Sequence, residues 1–142
     1  MSEPIRFPFL PVPSRPAAEV FLQRLLPFRL RRPGREPVEV HGLLDSGATV
    51  NVLPYSIGLR LGAVWEARTT RVRLAGNLFG HEAWALLAEA EVANFPAVRL
   101  VFAWVRTDDV PLLLGQVNFF QEFDVCFHRA RLQFELQPAI KS

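Results

Sequence analysis

The chain has 142 residues, half of them hydrophobic, 21% charged, with a formal net charge of +2. That length suits one domain able to bury about two thirds of its unfolded surface without disulfides or metal. The apolar fraction excludes intrinsic disorder and is rich for a small soluble monomer, so a subunit interface is expected to cover part of it.

All but one of the sixteen basic residues are arginines. Their densest group, Arg24, Arg29, Arg31, Arg32 and Arg35, reads as a solvated strand and hairpin face, and no nucleic-acid partner is expected. A lone Cys126 excludes an intramolecular disulfide framework and fits a reducing compartment. Prolines at 4, 8, 11, 13 and 16 break up any signal-peptide core, and nothing reaches the ~18 uninterrupted apolar residues of a membrane span. The expectation is a cytoplasmic protein with no membrane partner.

Residues 1–17 read as an extended Pro-rich arm whose Phe7, Phe9, Leu10 and Val12 lie along a neighbouring surface. The folded domain is expected over 18–142. Val20 to Arg32 suits a strand better than a helix, although Pro27 interrupts it. Turn chemistry at Pro33-Gly34-Arg35-Glu36-Pro37 joins it to the apolar run Val38 to Leu44 as a hairpin. Tyr55 to Leu61 predicts a short helix ended by Gly62. Thr69 to Leu74 alternates apolar and basic residues as a half-exposed strand does, and Ala75 to Gly80 is a glycine-flanked tip returning through Ala83 to Val92. Such a hairpin is what a mobile flap needs. Val98 to Val105 is a strand, Asp108-Asp109 a solvated turn, and Pro111 to Leu114 a short apolar strand stopped by Gly115. Asn118 is expected to cap a helix through Phe123, and Val125 to Phe127 pairs with Leu132 to Leu136 as a last hairpin.

The chemistry centres on Asp45-Ser46-Gly47-Ala48, set between the run ending at Leu44 and the run Val50-Asn51-Val52-Leu53. The chain has only four Asp, at 45, 108, 109 and 124, and only Asp45 is delivered into a tight turn by flanking apolar strands. Two carboxylates within hydrogen-bonding range share one proton, so one can accept a proton from water while the other donates to a carbonyl. One copy per chain implies that two chains meet to make a site. Gly47 allows a turn where a Cβ would collide with an opposing loop, and the Ser46 hydroxyl is short enough to bond across the pair.

The order Leu43-Leu44-Asp45-Ser46-Gly47-Ala48, then Leu112-Leu113-Leu114-Gly115 about 70 residues on, then Gln116 to Phe123 and Phe134-Glu135-Leu136, resembles the retropepsin-like aspartic peptidases. The likeness spans about residues 20 to 137. It implies a mainly β closed barrel with one or two short helices, forming half of a pepsin-like pair. It further implies a homodimeric peptide hydrolase acting on peptide or protein substrates without a cofactor or metal. Asp45 would be the catalytic carboxylate, and Ser46, Gly47, Ala48 and Thr49 its loop. Leu113, Leu114 and Gly115 would be the second apolar-glycine motif. Gly76, Asn77, Leu78, Phe79 and Gly80 would lie in a flap over 75–82, with Leu78 and Phe79 meeting substrate or the opposing tip. Relatives often carry an Asp at the Thr49 position and an Arg at the Gln116 position, and in viral relatives these pair. Replacing both reads as a correlated change that avoids a buried unpaired charge.

Other readings carry less. His81-Glu82 opens like a zinc helix motif, but Ala85 stands where a second ligand belongs. Ser46 lacks the glycine two residues earlier that a nucleophile elbow needs. Cys126 and His128 share a strand face, yet a small buried thiol is the plainer account. Trp65, Trp84 and Trp104 are spaced too widely for one stacking platform and suit core or dimer packing. The alternative to an enzyme is a non-catalytic dimer that binds extended peptides in the same cleft.

Overall fold

The computed structural model describes residues 3–11, 22–78 and 80–140. It is mainly β, built around a closed six-stranded barrel with two short α-helices. No helix among the described residues is long and apolar enough to cross a membrane.

The chain starts with β1 (Ile5–Pro8), then β2 (Leu10–Pro11) and β3 (Leu22–Gln23), which pair with each other. Val12, Val20 and Phe21 lie outside the described residues, as does the rest of the expected arm beyond Pro11. The barrel begins with the hairpin of β4 (Leu25–Arg31) and β5 (Val38–Leu44). Gly34 adopts a positive φ of 75° in the connecting turn, a conformation open to glycine without strain. Pro27 does not interrupt β4. It pairs with His41 on one side, and β7 (Ala83–Glu91) joins the other side only from Arg29 to Arg31, so no ladder hydrogen bond needs the missing N–H.

The remaining barrel strands are β6 (Asn51–Leu53), β8 (Val98–Val105) and β9 (Leu113–Leu114), giving the closed order β4-β5-β9-β6-β8-β7. β7 and β8 form the longest ladder, from Ala83↔Val105 to Ala90↔Val98. Helix α1 (Tyr55–Arg60) stops before Gly62, whose φ is +84°. Asp108 is more than a solvated turn: its Oδ1 accepts the Ser56 N–H at 2.8 Å and so caps a helix whose own N-cap is Pro54.

β10 (Phe123–His128) and β11 (Gln133–Pro138) close the chain, and β1 adds to β11 antiparallel, with Phe7 opposite Phe134. The arm's first strand therefore lies on its own chain. Phe7 stacks on Phe134 at 5.2 Å between ring centroids, and Phe134 is wholly buried. Helix α2 (Phe119–Glu122) packs Phe119 against Phe123 at 5.0 Å in the same core.

Other expectations change as well. Thr69 to Leu74 is not a regular strand: it makes one bridge, Arg71↔Trp84, with two flanking backbone bonds, Val72 N to Ala83 O and Ala85 N to Thr70 O. The ladder stops there because Gly76–Leu78 winds into a 3₁₀ turn. Cys126 is exposed, because its strand turns Val125 and Phe127 toward the core and Cys126 to the opposite face. Trp65 and Trp104 pack in the core as expected, but despite lying 39 residues apart they meet edge to face at 5.0 Å beside Tyr55. Asn118 precedes α2 but its side chain makes no cap bond.

Two arginines of the dense group are neutralised across β4 and β7, Arg29 with Glu91 at 3.3 Å and Arg31 with Glu89 at 2.8 Å. The hydrogen bond and charge of Glu89 raise the pKa of Arg31 above its ordinary value. Gly58 of α1 lies against the indole of Trp104, whose Nε1 donates to Tyr55 O at 3.1 Å, and a Cβ at residue 58 would overlap that ring. Gly58→Ala is accordingly expected to cost about 1–3 kcal/mol of stability through overpacking, measured by urea denaturation.

Candidate active site

Asp45 stands where β5 ends. Its N–H donates to Leu114 O at 3.0 Å, while Leu43 N–H donates to Leu112 O at 2.9 Å, so β9 runs parallel to β5 and holds the strand end in place. β9 also pairs with β6 through Val52↔Leu113. It thus lies between the two strands that flank the Asp45 loop, and the loop cannot shift without breaking one pairing or the other.

Close approach at this crossing depends on two glycines. A Cβ at Gly115 would lie 2.5 Å from Val50 O and 2.7 Å from Ala48 O. A Cβ at Gly42 would lie 2.6 Å from Leu114 Cδ1. Both distances are well inside van der Waals contact, so larger residues would force the strands apart.

Beneath the crossing lies Asn51, the one fully buried polar side chain among the described residues. Its Oδ1 accepts the Gly115 N–H at 2.8 Å, and its Nδ2 donates to Val101 O at 3.0 Å and to Asn118 Oδ1 at 3.1 Å. Asn118 Oδ1 also accepts the Val101 N–H at 3.0 Å, and Asn118 Nδ2 donates to Arg99 O at 2.9 Å. The Asn118 amide is consumed by these strand groups, which is why it does not cap α2. Two amides therefore tie β6, β8 and β9 together with both Asn51 donors used. Sequence reading missed this pair, although a polar residue inside Val50-Asn51-Val52-Leu53 is its signal.

On this platform Asp45 is half-buried, and its Oδ1 accepts the Gly47 N–H at 2.9 Å. Its Oδ2 has no hydrogen-bond partner among the described residues, so one oxygen is oriented and the other is free to act. Ser46, Gly47 and Thr49 are exposed around it. The Ser46 hydroxyl has no partner among the described residues. At Gly47 the nearest atom to an added Cβ is Asp45 Oδ1 at 3.3 Å, so nothing else within the chain requires glycine there.

Thr49 and Gln116 make no side-chain bond to each other, and both are exposed in the single chain. Gln116 instead reaches back to the loop. Its Nε2 donates to Ser46 O at 2.7 Å, and backbone bonds from Gln116 N to Ala48 O and Val117 N to Thr49 O join the two segments.

The segment after α1 folds over the loop. A cavity of about 170 Å³ lies between them, lined chiefly by Ala48, Val50, Val52, Leu74, Leu78 and Leu113. Leu113 is half-buried in its wall, while Leu114 is wholly buried on the other face of β9. Gly76 and Gly80 turn the tip with φ of +64° and +93°, and Asn77 falls in the 3₁₀ turn between them. Leu78 packs on a small cluster with Val52, Leu74 and Leu113 of its own chain rather than standing free. Phe79 lies outside the described residues. Among the described residues no group of three or more His, Cys, Asp or Glu is placed to hold a metal. Glu82, next to His81, receives the Trp84 Nε1–H at 3.0 Å and lies 3.5 Å from Arg68 Nε.

The two amides at the loop differ in burial, and so should their removal. Asn51→Ala is expected to cost about 2–3 kcal/mol, because Gly115 N–H and Val101 O lose buried partners, whereas Gln116→Ala costs at most about 1 kcal/mol because water replaces it. Parallel denaturant titrations of the two variants check the difference.

No family model matches the chain, and no curated protein is significantly similar to it in sequence.

Proposed function

We propose that the chain is a retropepsin-like aspartic endopeptidase that works as a homodimer, with Asp45 of each copy forming one catalytic pair. The observation that carries this reading is the half-buried Asp45 carboxylate, fixed through Oδ1 and free at Oδ2, on a loop locked by β9 and open at the surface. The surroundings favour a second copy facing it. Ser46, Gly47, Thr49, Gln116 and Val117 form an exposed border, and Val117 is 43% exposed despite being apolar.

With two such carboxylates close together, only one ionises readily. The ionised Asp45 takes a proton from water as the water oxygen attacks the scissile carbonyl carbon. The protonated Asp45 of the other copy gives its proton to the carbonyl oxygen, which yields a neutral gem-diol. Collapse then returns a hydroxyl proton to a carboxylate while the leaving nitrogen is protonated and the C–N bond breaks. The segment 75–82 would cover the substrate and limit water. Because the pair must hold one proton, the working range is acidic to near neutral.

Incubating the protein and its Asp45→Asn variant with a diverse peptide library from about pH 4 to 7.5, and reading products by mass spectrometry, tests this. Cleavage is expected from the parent and should fall by about 10²–10⁴-fold in Asp45→Asn. Peptide binding without cleavage by either protein, in a confirmed dimer, would replace the peptidase with a peptide-binding module.

A further inference from the structure

A second cavity adjoins the apolar one and shares Leu74 with it as a wall. It measures about 320 Å³ and is lined by Arg71, Val72, Arg73, Leu74, Gly80 and His81. Along 71–74 the side chains alternate. Val72 and Leu74 pack inward on the small cluster beneath the segment, and Arg71 and Arg73 are exposed.

Neither arginine has an ion-pair partner among the described residues. No carboxylate lines either cavity. Of the two acids that flank the segment along the chain, Glu66 forms no ion pair with either arginine, and Glu82 is already shared between Arg68 and the Trp84 indole. Arg29 and Arg31 of the barrel hairpin, by contrast, have Glu91 and Glu89 opposite them. The paired cavities therefore present an apolar pocket beside uncompensated positive charge. The apolar pocket has room for one branched aliphatic or single-ring side chain, since apolar cavities of about 150 Å³ admit benzene.

We infer that this cleft selects peptide segments in which an apolar side chain lies close to a carboxylate, the apolar group entering the pocket by Val52, Leu74 and Leu113 and the carboxylate meeting Arg71 and Arg73. The inference rests on the peptidase reading for its assignment of substrate, while the selectivity itself is a binding property. Guanidinium groups suit this role because they stay charged at any working pH and present paired donors to a carboxylate. Two exposed charge pairs acting together correspond to a preference of about five- to tenfold.

The test uses peptides that differ only in carrying Glu or Gln within three residues of a central apolar residue. Their binding to the full-length Asp45→Asn variant is read by fluorescence anisotropy, and their cleavage by the parent as kcat/KM. The Glu peptides are expected to bind about five- to tenfold tighter, and that ratio should fall to near one in Arg71→Gln/Arg73→Gln/Asp45→Asn. Raising the salt from about 0.05 to 0.5 M should compress it in the same way without any substitution. Equal binding of Glu and Gln peptides, or a ratio that survives loss of both arginines, overturns the inference. Cleavage with no acidic preference overturns it while leaving the peptidase reading in place. Acid-selective binding with no cleavage by the parent supports the cleft's selectivity and removes the peptidase.

Discussion

The fold and the candidate site both depend on one buried amide. Asn51 is wholly enclosed, and its bonds to Gly115, Val101 and Asn118 connect three strands that are far apart in sequence. A buried amide is costly unless its donors and acceptor are met, and the arrangement with β9 seated between β5 and β6 meets them. The glycines complete the constraint by removing the side chains that would hold β9 away: Gly115 from the carbonyls of Ala48 and Val50, and Gly42 from Leu114. Burial of Leu44, Leu53 and Leu114 supplies the apolar driving force, but it would tolerate a range of strand placements. The amide and the two close approaches narrow that range to one.

The unequal order of the site follows from this arrangement. The floor, Asp45 with β9 beneath it, is pinned by the backbone bonds to Leu112 and Leu114 and by the amide network. The cover is held far more lightly. Among the described residues, one bridge made by two backbone bonds attaches it to β7 between Thr70 and Ala85, and beyond it Leu74 and Leu78 pack on Val52 and Leu113. Few backbone bonds and a small apolar contact set a low free energy for local opening compared with the barrel ladders. In the proposed peptidase, a fixed loop beside a lightly held apolar cover would let a substrate chain enter without moving the carboxylate.

Much of this was legible in the sequence, and most of the misses arise from contacts distant along the chain. The β5 run, the α1 helix with Gly62 after it, β8, and the final hairpin announce themselves through local periodicity and turn chemistry, which depend on neighbours a few residues away. The Asp45 turn was readable for the same reason. Asn118 shows where local reading ends: it stands just before a helix, as a cap would, but Val101 and Arg99 compete for its amide from another strand. The alternation of Thr70, Val72 and Leu74 did report an inward apolar face, yet no partner strand runs far enough to make it a ladder. The proximity of Trp65 to Trp104 arises from closure of the barrel over α1 and cannot be inferred from their spacing. Cys126 was misjudged because residue type was weighted above strand parity, and its neighbours Val125 and Phe127 already claimed the inward face.

Polarity around the loop gives the arrangement its direction. Asp45 is the one carboxylate carried by the loop, Thr49 and Gln116 beside it are neutral, and no acid lines the cavity that holds the arginines of the cover. Arg71 and Arg73 stand on the outward positions of the segment whose inward positions, Val72 and Leu74, hold it to the barrel. Attraction for a ligand and attachment of the cover are thereby assigned to alternate residues of one short segment. A ligand carboxylate bound by the arginines would draw on the side chains that do not anchor the cover, leaving Val72 and Leu74 to keep it seated above Asp45. Binding of a complementary segment would then stabilise the covered state by the difference between its contacts with the closed and open arrangements. Charge recognition and exclusion of water would be coupled through the alternation of a few residues, with no separate lid required.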